Sequence, residues 1–227
     1  MERYPSTIGS ARVGTARASA LTTNKVLRNT YLLLGATLTF SAAMAGVAMA
    51  LNLPYFGLFT ILGYFGLLFA VHKTQNSGWG LVWIFALTGF MGLTLGPILS
   101  MYLKFLPNGS QVIMTALGTT AAAFLGLSAY AVKSERDFSF MNGFLVVGAI
   151  GAFVLGLVAY FFHLSTLSLV VSGLFLIVSS GIILVQTSEI VRGGETNYIL
   201  ATVTLYVSIY NMFLSLLQLL GAASSDD

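Results

Sequence analysis

Seven runs of this chain contain no Asp, Glu, Lys or Arg: residues 29–51, 54–71, 79–103, 111–132, 138–162, 165–188 and 197–220. A hydrocarbon core of about 30 Å is crossed by about 20 apolar residues in an α-helix. In hydrocarbon every backbone N–H and C=O must be satisfied internally, which leaves helices or a closed barrel. Unbroken apolar runs of this length, without period-two alternation, predict helices. The expected fold is therefore an all-α membrane protein, a bundle of seven transmembrane helices. The connections between runs are short, so sequential helices should be antiparallel neighbours. Tyr31, Trp79, Tyr102, Tyr130 and Tyr198 lie near run ends, where aromatic belts form.

The charges between the runs set an orientation. Of ten Lys and Arg, nine fall before the first run or in the second, fourth and sixth links: Arg3, Arg12, Arg17, Lys25, Arg28, Lys73, Lys133, Arg136 and Arg192. Only Lys104 falls on the other side. By the positive-inside rule the N-terminus is cytoplasmic and the C-terminal Ser224-Ser225-Asp226-Asp227 is external. Residues 1–27 show no apolar period and read as a flexible cytoplasmic tail. The first apolar run starts too late and is too long for a signal peptide. Residues 28–221 then form the membrane domain, and 222–227 a short external tail.

Composition excludes several function classes. Charged residues are 7% of the chain, against about 25% in soluble domains, hydrophobic residues are 57%, and mean hydropathy is +0.90. So few charges could not cover a soluble surface, which argues against a soluble enzyme, a disordered regulator or a nucleic-acid partner. Cysteine is absent, removing thiol chemistry and Cys-ligated metal. No run holds the Asp pair of an intramembrane aspartyl protease, a rhomboid-type Gly-x-Ser-Gly, a His-Glu-x-x-His helix or a Schiff-base Lys. His72 and His163 fall near opposite faces and cannot share a metal. We expect no enzyme activity, cofactor or metal.

Small residues recur every four positions at Gly92/Gly96, Gly118/Ala122/Gly126 and Gly148/Ala152/Gly156, as in close helix packing. Pro97 should kink the third span. The last run is the most informative. Asn197, Thr204, Ser208, Asn211, Ser215 and Gln218 draw a polar stripe down one helix face. Facing lipid, these groups would lack partners, so the stripe should face protein and the seventh helix should be central. Ser172, Ser179 and Gln186 recur at seven on the sixth run, predicting a polar seam between helices six and seven. The seam reads as a hydrogen-bonded contact or as a hydrated ion path, and no charged group lines it. In the link between them, the Gly193-Gly194 pair suits a left-handed helix end, and Thr196 an N-cap. Glu195 should sit near the positive end of the next dipole, and Glu189 should pair with Arg192 three residues on.

Gly193-Gly194-Glu195-Thr196-Asn197-Tyr198-Ile199, Ala201-Thr202 and Leu205-Tyr206-Val207-Ser208-Ile209-Tyr210-Asn211 resemble the Bax inhibitor 1 (transmembrane Bax inhibitor motif) family, within it the bacterial YccA group. Asn24–Tyr31, Thr88-Gly89-Phe90 and Gly96-Pro97-Ile98-Leu99 add to the resemblance, which extends from about residue 22 to 221. It implies a seven-helix bundle with the last helix enclosed by the other six. It also implies one of two functions. The first is a bacterial inner-membrane regulator that binds and restrains the membrane-anchored AAA metalloprotease FtsH, together with that protease's associated membrane regulators. In it the N-terminal tail would engage the protease's cytoplasmic entrance. The second is a pH-sensitive calcium or proton leak gated by an aspartate pair on helices six and seven.

The family's aspartates align with Gln186 and Ser208, neither of which titrates. Two carboxylates sharing a proton can switch with pH, whereas an amide and a hydroxyl cannot. The resemblance therefore implies the protease regulator ahead of the leak. The candidate site residues are Gln186, Ser208, Asn211 and Glu189 along the seam, and Gly193, Gly194, Glu195, Thr196, Asn197 and Tyr198 in the turn.

Overall fold

The computed structural model describes residues 8–134 and 136–225. Seven α-helices follow in order: α1 (Ile8–Ala50), α2 (Phe59–Thr74), α3 (Trp79–Phe105), α4 (Gly109–Ser134), α5 (Asn142–Phe161), α6 (Ser165–Arg192) and α7 (Tyr198–Ser225). A 3₁₀ turn, Ser139–Met141, leads into α5. Among the described residues six helices are long and apolar enough to cross a membrane, the exception being α2. At 16 residues α2 is roughly 24 Å long, short of a full hydrocarbon core. Its predicted run starts at Pro54, but Asn52 and Gly57 take left-handed backbone and helix resumes only at Phe59.

Two other expectations are revised. The predicted flexible tail, residues 1–27, is helical from Ile8, and its residues 1–7 lie outside the described residues. Extending an existing helix needs no new nucleus, and four Ala and two Arg between Ile8 and Asn24 favour it against the two Gly and three Thr of the same stretch. The predicted external tail 222–227 is helical to Ser225, with 226–227 outside the described residues.

Three helices stop by the same device. Past α1, α5 and α6, left-handed Asn52, His163 and Gly193 turn the chain. The next amide then reaches back to the carbonyl five residues earlier: Leu53 to Ala48 (3.0 Å), Leu164 to Ala159 (3.0 Å) and Gly194 to Glu189 (2.9 Å). These are Schellman closures, which satisfy carbonyls that the helix end would leave bare.

Side chains fix which helix ends meet. At one end, Lys104 in the last turn of α3 donates to Asn52 after α1 (3.4 Å), and Tyr102 lies against Gly221 near the end of α7. At the other end, Asn197 before α7 donates to Asn76 after α2 (3.0 Å), and Ser188 of α6 donates to the Arg136 carbonyl (2.6 Å). The helix α2 therefore runs from one end of the bundle to the other. Lys25, Arg28, Lys73, Lys133, Arg136 and Arg192 fall at the Asn197 end, and Lys104 at the opposite end.

The tightest contact joins α1 and α3. A Cβ at Gly92 would overlap the Ser41 carbonyl, and one at Gly96 would sit 2.5 Å from the Ala48 methyl. Both glycines of this predicted pair thus let two backbones touch. The α4 stripe does not behave this way. Gly118, Ala122 and Gly126 are exposed, and nothing lies near the two glycines. Along α3 the helix continues through Pro97. The helix α7 is the most buried of the six long spans and packs against α1, α3, α4 and α6.

Gly92→Ala should destabilise the bundle by about 1–3 kcal/mol, because the clash is with backbone that cannot rotate away. Gly118→Ala should change stability by less than about 0.5 kcal/mol. Thermal melting of both variants in detergent checks the contrast.

Candidate functional site

The α6–α7 corner is organised by its backbone. Gly193 takes φ 76° and its amide bonds the Ile190 carbonyl (3.2 Å), while Gly194 and Glu195 both reach the Glu189 carbonyl. A side chain at Gly193 would be strained by that φ and would also press on the Thr23 hydroxyl at 3.2 Å. The N-cap of α7 is Asn197, not the predicted Thr196. Its Oδ1 accepts from the amides of Ile199 (2.9 Å) and Leu200 (3.3 Å), and Thr196 is exposed. Glu195 accepts from the Asn197 amide (2.6 Å), a carboxylate at the positive end of the helix dipole. Asn197 Nδ2 then crosses to Asn76, so one amide starts α7 and ties it to the α2–α3 turn. Tyr198 opens α7, half-buried against the main core cluster.

The predicted Glu189–Arg192 pair is not made. Glu189 accepts from Asn142 Nδ2 (2.9 Å), and Arg192 pairs with Asp137 (2.5 Å). Arg192 thus reaches the α4–α5 link, and Glu189 the first residue of α5. The Arg192 guanidinium and the Ser139 amide hold the Asp137 carboxyl well below the usual carboxylate range. A lowered folded value means the pair is intact at neutral pH and is lost only as the pH falls through that low value. The groups are exposed, so the pair positions the corner and adds little stability.

The seam between α6 and α7 is hydrogen-bonded only toward its far end. There Gln218 accepts from Ser172 and donates to Ser168, both at 2.5 Å. In the middle, Ser208 is buried and turns its hydroxyl back onto the Thr204 carbonyl of its own helix (2.8 Å). Gln186 is buried, with an Nε2 that finds no partner among the described residues. No hydrogen bond joins Gln186 to Ser208. Asn211 lies further along α7, half-buried against a cavity, without a hydrogen bond to any described residue.

A second set of polar contacts, on α7's side toward α1 and α3, lay outside the predicted seam. The Tyr206 hydroxyl donates to the Thr88 carbonyl (3.3 Å) and accepts from Ser41 (2.6 Å). One turn on, the Tyr210 hydroxyl donates to the Met91 carbonyl (3.3 Å), and the two rings stack at 6.3 Å. Thr202 reaches the Thr30 carbonyl (3.3 Å). The sequence signal was present: two tyrosines four apart sit deep in an apolar run, away from the interface positions that phenols favour. Among the described residues no group of three or more His, Asp or Glu could hold a metal ion.

Residues 23–225 match the model of the family described as inhibitor of apoptosis-promoting Bax1. A relative from Escherichia coli K12, named Modulator of FtsH protease YccA, is 50% identical over 212 residues, covering 92% of this chain and 95% of its own. An uncharacterized protein of Pseudomonas aeruginosa is 54% identical over 203 residues, 89% of this chain and 91% of its own. A Vibrio cholerae relative, described as a membrane protein, is 48% identical over 209 residues, 91% of this chain and 93% of its own. The chain belongs to the Bax inhibitor family.

Tyr206→Phe and Ser41→Ala should each cost about 0.5–1.5 kcal/mol, and the double variant should lose less than their sum. A double-mutant cycle by steric trapping or melting measures that coupling.

Proposed function

We propose that this Bax inhibitor family protein is an inner-membrane regulator that binds and restrains the FtsH protease. The observation that carries the reading is 50% identity to the protein named modulator of that protease, along nearly the whole of both chains. Such coverage takes in nearly all of both chains, so most of the surface available for docking has a counterpart in that relative.

In this reading all seven helices cross the membrane, with α7 central. The short α2 completes its passage with the non-helical residues 51–58. The placement of its two ends supports this, as does the division of basic residues between the ends of the bundle. The N-terminus and the Asn197 end face the cytoplasm, and the C-terminus is external. The helix α1 then carries residues 8–24 roughly 25 Å beyond the membrane segment. We assign this basic N-terminal extension the task of reaching the protease's cytoplasmic entrance, while the bundle docks beside its membrane segments. A bundle that resists extraction occupies the protease and slows its work on other clients. The Gly193–Tyr198 corner and the Asp137–Arg192 pair lie on the same face and supply the rest of the cytoplasmic surface.

The leak reading has less support. Gln186 and Ser208 carry no ionisable group and share no hydrogen bond. A divalent cation wants several oxygen ligands, carboxylates included, and the spans offer none.

Deleting residues 2–20 should leave the protein in the membrane but abolish its slowing of client degradation, read as client half-life with and without the variant. Undiminished inhibition would remove the extension from the mechanism. Reconstituted vesicles carrying a calcium dye should show no pH-dependent flux for the parent protein. Flux in the parent would move the leak reading ahead.

A further inference from the structure

We infer that the chamber between α2 and α5 is a binding site for a lipid-soluble molecule with a planar, carbonyl-bearing ring on an apolar tail, of the quinone class. The chamber is a cavity of about 470 Å³ and continues into a second of about 390 Å³ toward the Lys104 end of the bundle. Its floor is α7 and its walls are almost wholly apolar.

Five polar side chains break those walls, and two of them, Thr94 and Tyr210, already bond the Met91 carbonyl. The other three are Asn211, Thr60 and Tyr64. Asn211 lies at the middle of α7, roughly 20 Å from either helix end. Thr60 and Tyr64 face it from α2, four residues apart and so on one helix face. None of the three side chains makes a hydrogen bond to a described residue. In the membrane-crossing reading proposed above, Asn211 lies at a depth without bulk water, and an amide without partners in hydrocarbon is costly. Three free donors converging on one dry chamber specify an occupant that brings acceptors with it.

Size and shape narrow the occupant. A helix of 10 Å diameter and 5.4 Å pitch fills roughly 420 Å³ per turn, so the chamber would hold one turn and not a span. It falls within the range of small-molecule sites, about 300–1,000 Å³. An acyl chain would fit the walls but would leave Asn211 unsatisfied. A planar ring suits the aromatic lining, where Tyr64, Phe65, Phe153 and Phe175 offer faces and edges. Ring carbonyls match the donors of Asn211, Thr60 and Tyr64, and the tail can occupy the second cavity.

The site also has a door. The Phe65 and Phe153 rings meet edge to face at 5.8 Å, one from α2 and one from α5, and both are partly exposed on the outer surface. A rotamer change in either ring opens the chamber sideways, so a ligand enters from the hydrocarbon and never crosses water.

The test uses the full chain in phosphatidylcholine nanodiscs, a photoreactive azido-benzoquinone with a decyl tail as label, and decylubiquinone as competitor. We expect the label on peptides of α2, α5, α6 and α7, with competition by decylubiquinone and none by decanol, which has the tail but no carbonyl ring. Asn211→Leu should weaken competition about three- to tenfold, the effect of one hydrogen bond. Thr60→Val, a milder change, should weaken it in the same direction, and Ser208→Ala, outside the chamber, should not. Label spread evenly over the lipid-facing helices would overturn the assignment. So would equal competition by decanol, or parent-like competition in both Asn211→Leu and Thr60→Val.

Discussion

The structure depends on one constraint: polar side chains must find partners at a depth where water cannot supply them, and the apolar runs hold no charged residue to help. For many hydroxyls the answer is local. Thr37, Thr74, Thr120, Ser180 and Ser208 all turn their hydroxyls back onto carbonyls three or four residues earlier. That solution costs no partner helix and imposes no registry. Tyr206 and Tyr210 cannot use it, because their hydroxyls stand too far from their own backbone. They reach carbonyls and hydroxyls of α1 and α3 instead, and so place α7 relative to both.

Helix association in lipid has little hydrophobic drive, so close backbone contact and a few such bonds decide which helices meet. Gly92 and Gly96 bring α1 and α3 together, and the Ser41–Tyr206 bond starts from the same stretch of α1 that Gly92 touches. One patch therefore joins three helices. The far side is looser. There α2 packs on α3 and α5 on α6, and an aromatic contact between Phe65 and Phe153 bridges the gap. The chamber lies where the bundle has the fewest backbone contacts to close it.

The long helices were legible because length and the absence of charge are local properties. The corner past α6 was legible too, since a Gly pair at a helix end has few alternatives to a left-handed turn. Gly92 and Gly96 announced a contact, but so did Gly118 and Gly126, which face outward. A small-residue stripe tells that two backbones could approach, not whether a partner is there. The shortness of α2 was hidden because its run is apolar throughout, and left-handed Asn52 and Gly57 interrupt helix without interrupting hydropathy. The choice of Asn197 over Thr196 as cap turned on which residue also bonds Asn76, a contact across 121 positions. Arg192 had an acid three residues away and another across a loop, and it took the loop's Asp137. Such choices are settled by tertiary placement, which a local pattern does not contain.

The absence of titratable groups at Gln186 and Ser208 limits what the middle of the bundle can do. Neither group gains or loses charge between about pH 4 and pH 9, so their contacts have the same energy across that range. Ser208 is content with its own helix, and Gln186 keeps an unsatisfied amide beside it in the packed core. A core of this kind lacks the protonation switch that a carboxylate pair would carry, and neither residue couples proton concentration to helix position. A bundle that does not switch resists being pulled apart by small changes at its surface. That property suits a protein that occupies a protease more than one that opens a path for ions.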